Sequence, residues 1–141
     1  MVKVAFWIFI FVEYSDYARG SADELFQRIG RSGKWYIGPR TQNRRRLQKG
    51  DKVIFYQAGQ AARKFVGNAV LSTGLQTPEE RELFGFVLLT EVCVWNKPVA
   101  LSDIATQLSF VKNRKSASAF FQGGIRRMTE ADYQTIMRET M

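Results

Sequence analysis

Histidine is missing from the 141 residues, and cysteine occurs once, at Cys93. Without histidine and with a single thiol, a zinc site built from nitrogen and sulfur ligands is excluded. The Ser-His and Cys-His catalytic arrangements fall with it. One cysteine allows no internal disulfide and fits a reducing compartment. Cys93 lies within the apolar stretch Phe86–Trp95 and reads as a small buried residue. Glycine-rich phosphate loops of the GxGxxG and Walker types are absent. The carboxylates form no pair whose spacing demands acid-base chemistry: Asp51 sits in the Lys49–Lys52 turn as a cap, and Glu91 lies on a strand surface. Long hydrophobic runs are also lacking. Val4–Val12 is apolar but short, has no small-residue cleavage site and is followed by Glu13, so it fits neither a leader nor a membrane span. The expectation is a cytoplasmic protein with no membrane contact, no metal and no cofactor.

What is present is a core and an excess of positive charge. The chain is 45% hydrophobic, enough to bury one core without staples. With no repeats, linkers or low-complexity segments, residues 1–141 read as a single domain. The net charge of +8 favours polyanionic partners, nucleic acid first among them.

Val4–Val12 mixes aromatic and β-branched residues without polar alternation, the pattern of a strand buried on both faces and placed inside a sheet. Ser21–Glu24 forms a capping box that opens a helix of about two turns or slightly more, with Leu25 and Ile29 on one face and Gly30 closing it. Val53–Gln57 and Phe65–Leu71 read as a hairpin, and Gly67 marks a bulge or a close backbone approach. Thr77–Glu80 is a second capping signature. Phe86–Trp95 is a long strand that Asn96–Pro98 ends. Ser102–Phe110 is a short helix carrying Ile104 and Leu108. Thr129–Asp132 opens the last helix, whose buried stripe is Tyr133, Ile136 and Met137, with Met128 and Tyr133 placed as a hydrophobic staple. Short capped helices between hairpin-linked strands give a mixed α/β (α+β) domain, a curved sheet or small barrel with helices at its sides. Full-length crossover helices are missing, which argues against a doubly wound fold.

The stretch Lys34–Gly59 holds the chemistry. Arg44, Arg45, Arg46 and Lys49 place four cations close together, and the arginine fork suits phosphate oxygens. Further clusters at Lys112, Arg114 and Lys115, and at Arg126 and Arg127, are candidates to converge on the first. The plainer reading of each is a solvated basic loop. Trp35 beside Gly33, Gly38 and Pro39 is either a rim residue of the core or a stacking wall for an extruded base. The pair Phe120 and Phe121 carries the same two readings. Asn43 reads a base edge through its amide or caps a turn.

The order Trp35, Gly38, Asn43, then Lys49–Tyr56, then Lys64–Val70, resembles the EVE domain of the PUA-like superfamily. Leu108–Lys115 and Phe120–Tyr133 resemble the end of the same domain, so the likeness spans nearly the whole chain. The resemblance implies a pseudo-barrel sheet flanked by helices, related to the PUA, ASCH and YTH domains. It implies a pocket for a modified nucleobase, typically methylated or hydroxymethylated cytosine in DNA; in YTH relatives the base is methylated adenine in RNA. By position, Trp35 matches the first pocket tryptophan and Asn43 the asparagine that follows. Gly38 and Arg40 fall in the intervening loop, and Tyr56 at the end of the strand beneath the pocket. Tyr36 and Ile37 stand where family members often have valine or threonine and a small residue, and Pro39 stiffens the loop.

The leading expectation is therefore a non-catalytic module that takes a flipped modified base between Trp35 and Phe120 or Phe121. Asn43 reads the base edge, and Arg44, Arg45, Arg46, Lys49, Lys112, Arg114, Lys115 and Arg126 hold phosphates. An RNA-binding PUA-like protein is the alternative. A small hydrolase of modified nucleosides, as some ASCH relatives are, would use Lys34, Thr41 or Glu91. A basic interaction domain without a pocket is the fourth reading.

Overall fold

The computed structural model describes residues 3–11, 22–59, 63–77, 85–111 and 124–140. Among these, six strands form one curled, mixed sheet: β1 (Phe6–Phe11), β2 (Lys34–Ile37), β3 (Lys52–Gln57), β4 (Lys64–Leu71), β5 (Gly85–Ala100) and β6 (Ile125–Met128), in the order β2-β5-β4-β3-β1-β6. Strands β1 and β3 run parallel, and every other neighbouring pair is antiparallel. The helices are short: α1 (Ala22–Ser32), α2 (Leu101–Ile104) and α3 (Glu130–Arg138), with 3-10 turns η1 at Arg44–Arg46 and η2 at Ala105–Gln107.

The period of two in the strands builds two apolar layers, one on each face. From β1, Trp7, Phe9 and Phe11 enter the first layer with Phe26 and Ile29 of α1. Ile8 enters the second with Leu101, Ile104, Leu108, Tyr133 and Ile136 of the C-terminal segments. This is the interior strand, buried on both faces, that its unbroken apolar run predicts. Strand β3 divides likewise, with Val53 and Phe55 in the first layer and Ile54 and Tyr56 in the second.

Strand β4 breaks its own alternation. Val66 and Ala69 share the first layer although they are three positions apart, because the register slips around Gly67. A Cβ on Gly67 would lie 2.6 Å from the Cys93 carbonyl oxygen and 2.9 Å from Cζ of Phe26. The bulge and the close approach expected at this glycine both occur.

Several expectations need correction. Helix α1 has 11 residues and passes through Gly30. It ends at Gly33, whose φ of 70° and N–H bond to the Ile29 carbonyl make the left-handed cap. Strand β5 does not stop at Asn96–Pro98. It pairs again at Val99 and Ala100, and Pro98 falls in the excursion between the pairs Phe65–Val99 and Gly67–Val94, where its missing N–H breaks no ladder. Cys93 is exposed, not buried. It lies in Thr90–Val94, where β5 pairs with β4 but its side chains are exposed, and Glu91 takes a φ of 50°. Strands β2 and β6 were not legible as strands. The capping signals at Ser21 and at 78–80 lie outside the described residues.

The expected helix Ser102–Phe110 is instead α2 and the 3-10 turn η2, which end at Gln107, while the last helix opens where its capping residues predict. Thr129 accepts the Asp132 N–H at 3.1 Å and opens α3. Asp132 turns to Ser109, accepting from its N–H at 2.9 Å and from its hydroxyl, which ties α3 to the segment after η2. Met128 and Tyr133 are both buried in the second layer.

Candidate functional site

Loop 38–51 links the edge strand β2 to the interior strand β3. It turns at Gly38, whose carbonyl accepts the Thr41 N–H at 3.2 Å. Asn43 follows in the left-handed region with φ 68°, a conformation asparagine tolerates better than most residues. Its amide Nδ2 donates to the Ile125 carbonyl at 3.0 Å, across 82 residues of sequence. Thr41 packs on the neighbouring Gly124, whose hypothetical Cβ would be 3.2 Å from Thr41 Cγ2. The loop is thus fastened to the start of β6, and the basic run Arg44–Arg46 comes to lie beside the strand that carries Arg126.

The far end of the loop is equally fixed. Asp51 is 3% exposed. It accepts from the Gln48 N–H at 3.0 Å, from Trp7 Nε1 at 2.8 Å and from the Ala5 N–H at 3.1 Å. The expected turn cap is present, and it also clamps the loop to β1. The three N–H donors give both oxygens of this buried carboxylate hydrogen-bond partners.

Within the run the three arginines are not equivalent. A 3-10 turn has three residues per turn, so positions i and i+3 align. Arg44 therefore points the same way as Leu47, and both are buried, while Arg45 and Arg46 are exposed. Arg44 keeps 6% of its surface exposed, and its buried Nη1 meets no hydrogen-bond acceptor among the described residues. Lys49 and Arg40 are exposed, and Arg126 is half-buried.

The expected aromatic wall is a correction. Trp35 is 6% exposed and packs among Phe9, Phe11 and Phe55, with ring centroids 5.6, 6.1 and 5.0 Å away. It is a core residue because β2 is a strand: alternation turns Trp35 inward and leaves Tyr36, at 48% exposed, outward. Tyr56 is 2% exposed and belongs to the second layer, packed on Phe65 at 5.0 Å. Trp35 and Tyr56 thus lie on opposite faces of the sheet and do not line one cavity together. Burial raises the Tyr56 hydroxyl to a pKa of about 12, with the Arg63 charge opposing the rise. Gly38 is buried at the end of β2. Phe120, Phe121, Lys112, Arg114 and Lys115 lie outside the described residues.

The residues considered for hydrolysis are dispersed. Lys34 Nζ lies 4.6 Å from the centre of the Phe86 ring, on the outward side of β2. Glu91 is exposed in the middle of β5, and Thr41 sits in the loop. Among the described residues no group of three acidic, thiol or imidazole side chains is placed to hold a metal ion, and no helix is long and apolar enough to cross a membrane.

The pattern of the EVE domain matches residues 6–139. The chain belongs to the EVE domain family. Solved structures agree on the fold. Protein Atu2648 from Agrobacterium tumefaciens superposes with a TM-score of 0.70 at 20% identity, covering 97% of this chain and 93% of that one. The DUF55 domain of human thymocyte nuclear protein 1 gives 0.69 at 10% identity, covering 96% and 98%. Human THYN1 in complex with 5-methylcytosine-containing DNA gives 0.67 at 11% identity, covering 96% and 97%. At these identities the likeness carries the fold and nothing about individual residues. No curated protein matches the sequence.

Sequence reasoning overlooked the anchoring of Asn43 to β6 and the burial of Arg44. The first joins residues 82 apart, and no local pattern encodes it. The second had a signal in the three-residue spacing of Arg44 and Leu47, masked by the uniform charge of the run.

Proposed function

We propose that this EVE domain binds nucleic acid and accepts a modified base, a methylated cytosine in DNA, without catalysing a reaction on it. The observation that carries the reading is the fastening of the basic turn Arg44–Arg46 beside β6 by the Asn43–Ile125 bond. It occurs in a fold shared with a protein that has been solved bound to 5-methylcytosine DNA. A rigidly held loop places its cations without an ordering cost at binding. In this reading Arg45, Arg46, Lys49 and Arg126 hold phosphates, Gly38 and Arg40 border the entrance, and Trp35 supports the loop from within the core.

The test is a titration of two duplexes differing only in one 5-methylcytosine, at one fixed salt concentration because phosphate contacts make affinity salt-dependent. A third arm uses RNA carrying a methylated base. Tighter binding of the methylated duplex is expected. Equal affinities for the methylated and plain duplexes would remove the base-recognition reading, and preference for the RNA would reassign the nucleic acid.

A further inference from the structure

Arg44 is a buried cation with no counter-charge among the described residues. Only 6% of its surface is exposed, and Nη1 is enclosed there without an acceptor. The two buried carboxylates of the described residues are engaged elsewhere, Asp51 by Trp7, Ala5 and Gln48, and Asp132 by Ser109. A charge removed from water without a partner is strongly destabilising, and a buried guanidinium is ordinarily paired. The backbone around Arg44 leaves little freedom to expel it. Asn43 is tied to Ile125 on one side. Leu47 on the other is buried, with its carbonyl 2.7 Å from where a Cβ on Gly74 would stand. A fixed loop that holds a buried arginine whose Nη1 has no acceptor among the described residues is suited to receive one from outside.

We propose that Arg44 is a discrete receptor for one phosphate group of the bound nucleic acid, distinct from its exposed neighbours. This rests on reading the Arg44–Arg46 run as the part of the domain that faces phosphates. Arg45 and Arg46 attract the polyanion from solvent, where charge is screened. Arg44 engages a single phosphate in a poorly hydrated place, where the fork forms a strong charge-assisted bond. The free protein then carries an uncompensated charge that binding neutralises, so the fold itself is stabilised by phosphate.

The probe is inorganic phosphate, exchanged for chloride at constant ionic strength. Thermal unfolding of the wild-type chain is expected to shift upward by roughly 3 °C or more. Arg44→Met should abolish the shift, and in phosphate-free buffer it should unfold no earlier than wild type. Arg31→Gln, which removes an exposed cation at the end of α1 outside the basic loop, should retain the shift. With a short DNA duplex at fixed salt, Arg44→Met should lose affinity roughly 10- to 100-fold. The duplex should also displace inorganic phosphate from the wild-type protein. Side-chain nitrogen NMR of the unmutated protein gives a readout that does not depend on the variant folding, since the Arg44 guanidinium signals should move on phosphate addition. A wild-type protein whose stability and Arg44 signals ignore phosphate overturns the proposal. So does an Arg44→Met variant that keeps the phosphate response, or a duplex that binds without displacing phosphate. None of the phosphate arms contains a base, so failure of methylcytosine preference leaves them standing and is recognised separately.

Discussion

Trp35 and Tyr56 hold their positions by burial, and their chemistry follows from it. Replacing Trp35 by alanine removes a ring that touches Phe9, Phe11 and Phe55 and leaves a cavity in a close-packed layer. The expected cost is about 3–5 kcal/mol, read as a lowered urea midpoint. The milder Trp35→Phe should lower the midpoint less and leave oligonucleotide affinity unchanged. A fall in affinity at unchanged stability would return this ring to the ligand. Tyr56 gives a pH prediction. Its folded pKa of about 12 exceeds the ordinary value of 10, first because burial disfavours the phenolate. A group raised in this way contributes its full stability below pH 10 and loses it as the pH climbs towards 12. Unfolding free energy should therefore fall through that alkaline window, together with a late rise in tyrosinate absorbance. Tyr56→Phe should flatten part of the decline, and an unchanged pH profile in that variant would assign the loss to other groups.

At the scale of elements, the contact of α1 with the sheet is set by Gly67. A Cβ there meets backbone, the Cys93 carbonyl oxygen, as well as the Phe26 ring. The ring can turn aside, but the paired backbone of β5 cannot do so cheaply. Gly67→Ala should cost about 1–3 kcal/mol by chemical denaturation, and a neutral result would mean that the bulge is looser than its register implies. This glycine was legible because a residue without a side chain weakens an apolar strand unless a bulge or a close neighbour requires it. Strand β1 was legible for a similar reason: a strand buried on both faces admits no polar alternation. Strand β2 was not, since four residues flanked by Gly33 and Gly38 look like a turn until β5 pairs with them. The same long-range pairing fixed the fate of Trp35. The candidate site was legible in its charges and in the loop that carries them. It was not legible in which arginine is buried, because local spacing competes there with a tertiary anchor at Ile125.

For the whole molecule, the sheet order decides which charges meet. Strand β1 pairs with β3 on one side and β6 on the other, so the loop entering β3 and the strand bearing Arg126 and Arg127 lie at the same margin of the sheet. Arg127 also sits 5.9 Å from the centre of the Trp7 ring, which commits part of that basic margin to the fold itself. The net charge of +8 is spread over the chain, and only cations in contact with phosphates release counterions on binding. Each such contact contributes about 0.9 to the slope of log K against log salt for duplex DNA. Arg46 and Lys49 are exposed on the anchored loop. The double variant Arg46→Gln with Lys49→Gln should therefore lower the slope by about 1.8. Its stability should stay within about 0.5 kcal/mol of wild type, as for surface substitutions in general. A slope unchanged by the double variant would place the nucleic acid on another face of the sheet. A slope that falls while the preference for methylated DNA stays constant would assign these two side chains to phosphate attraction and leave base selection to the interior of the loop.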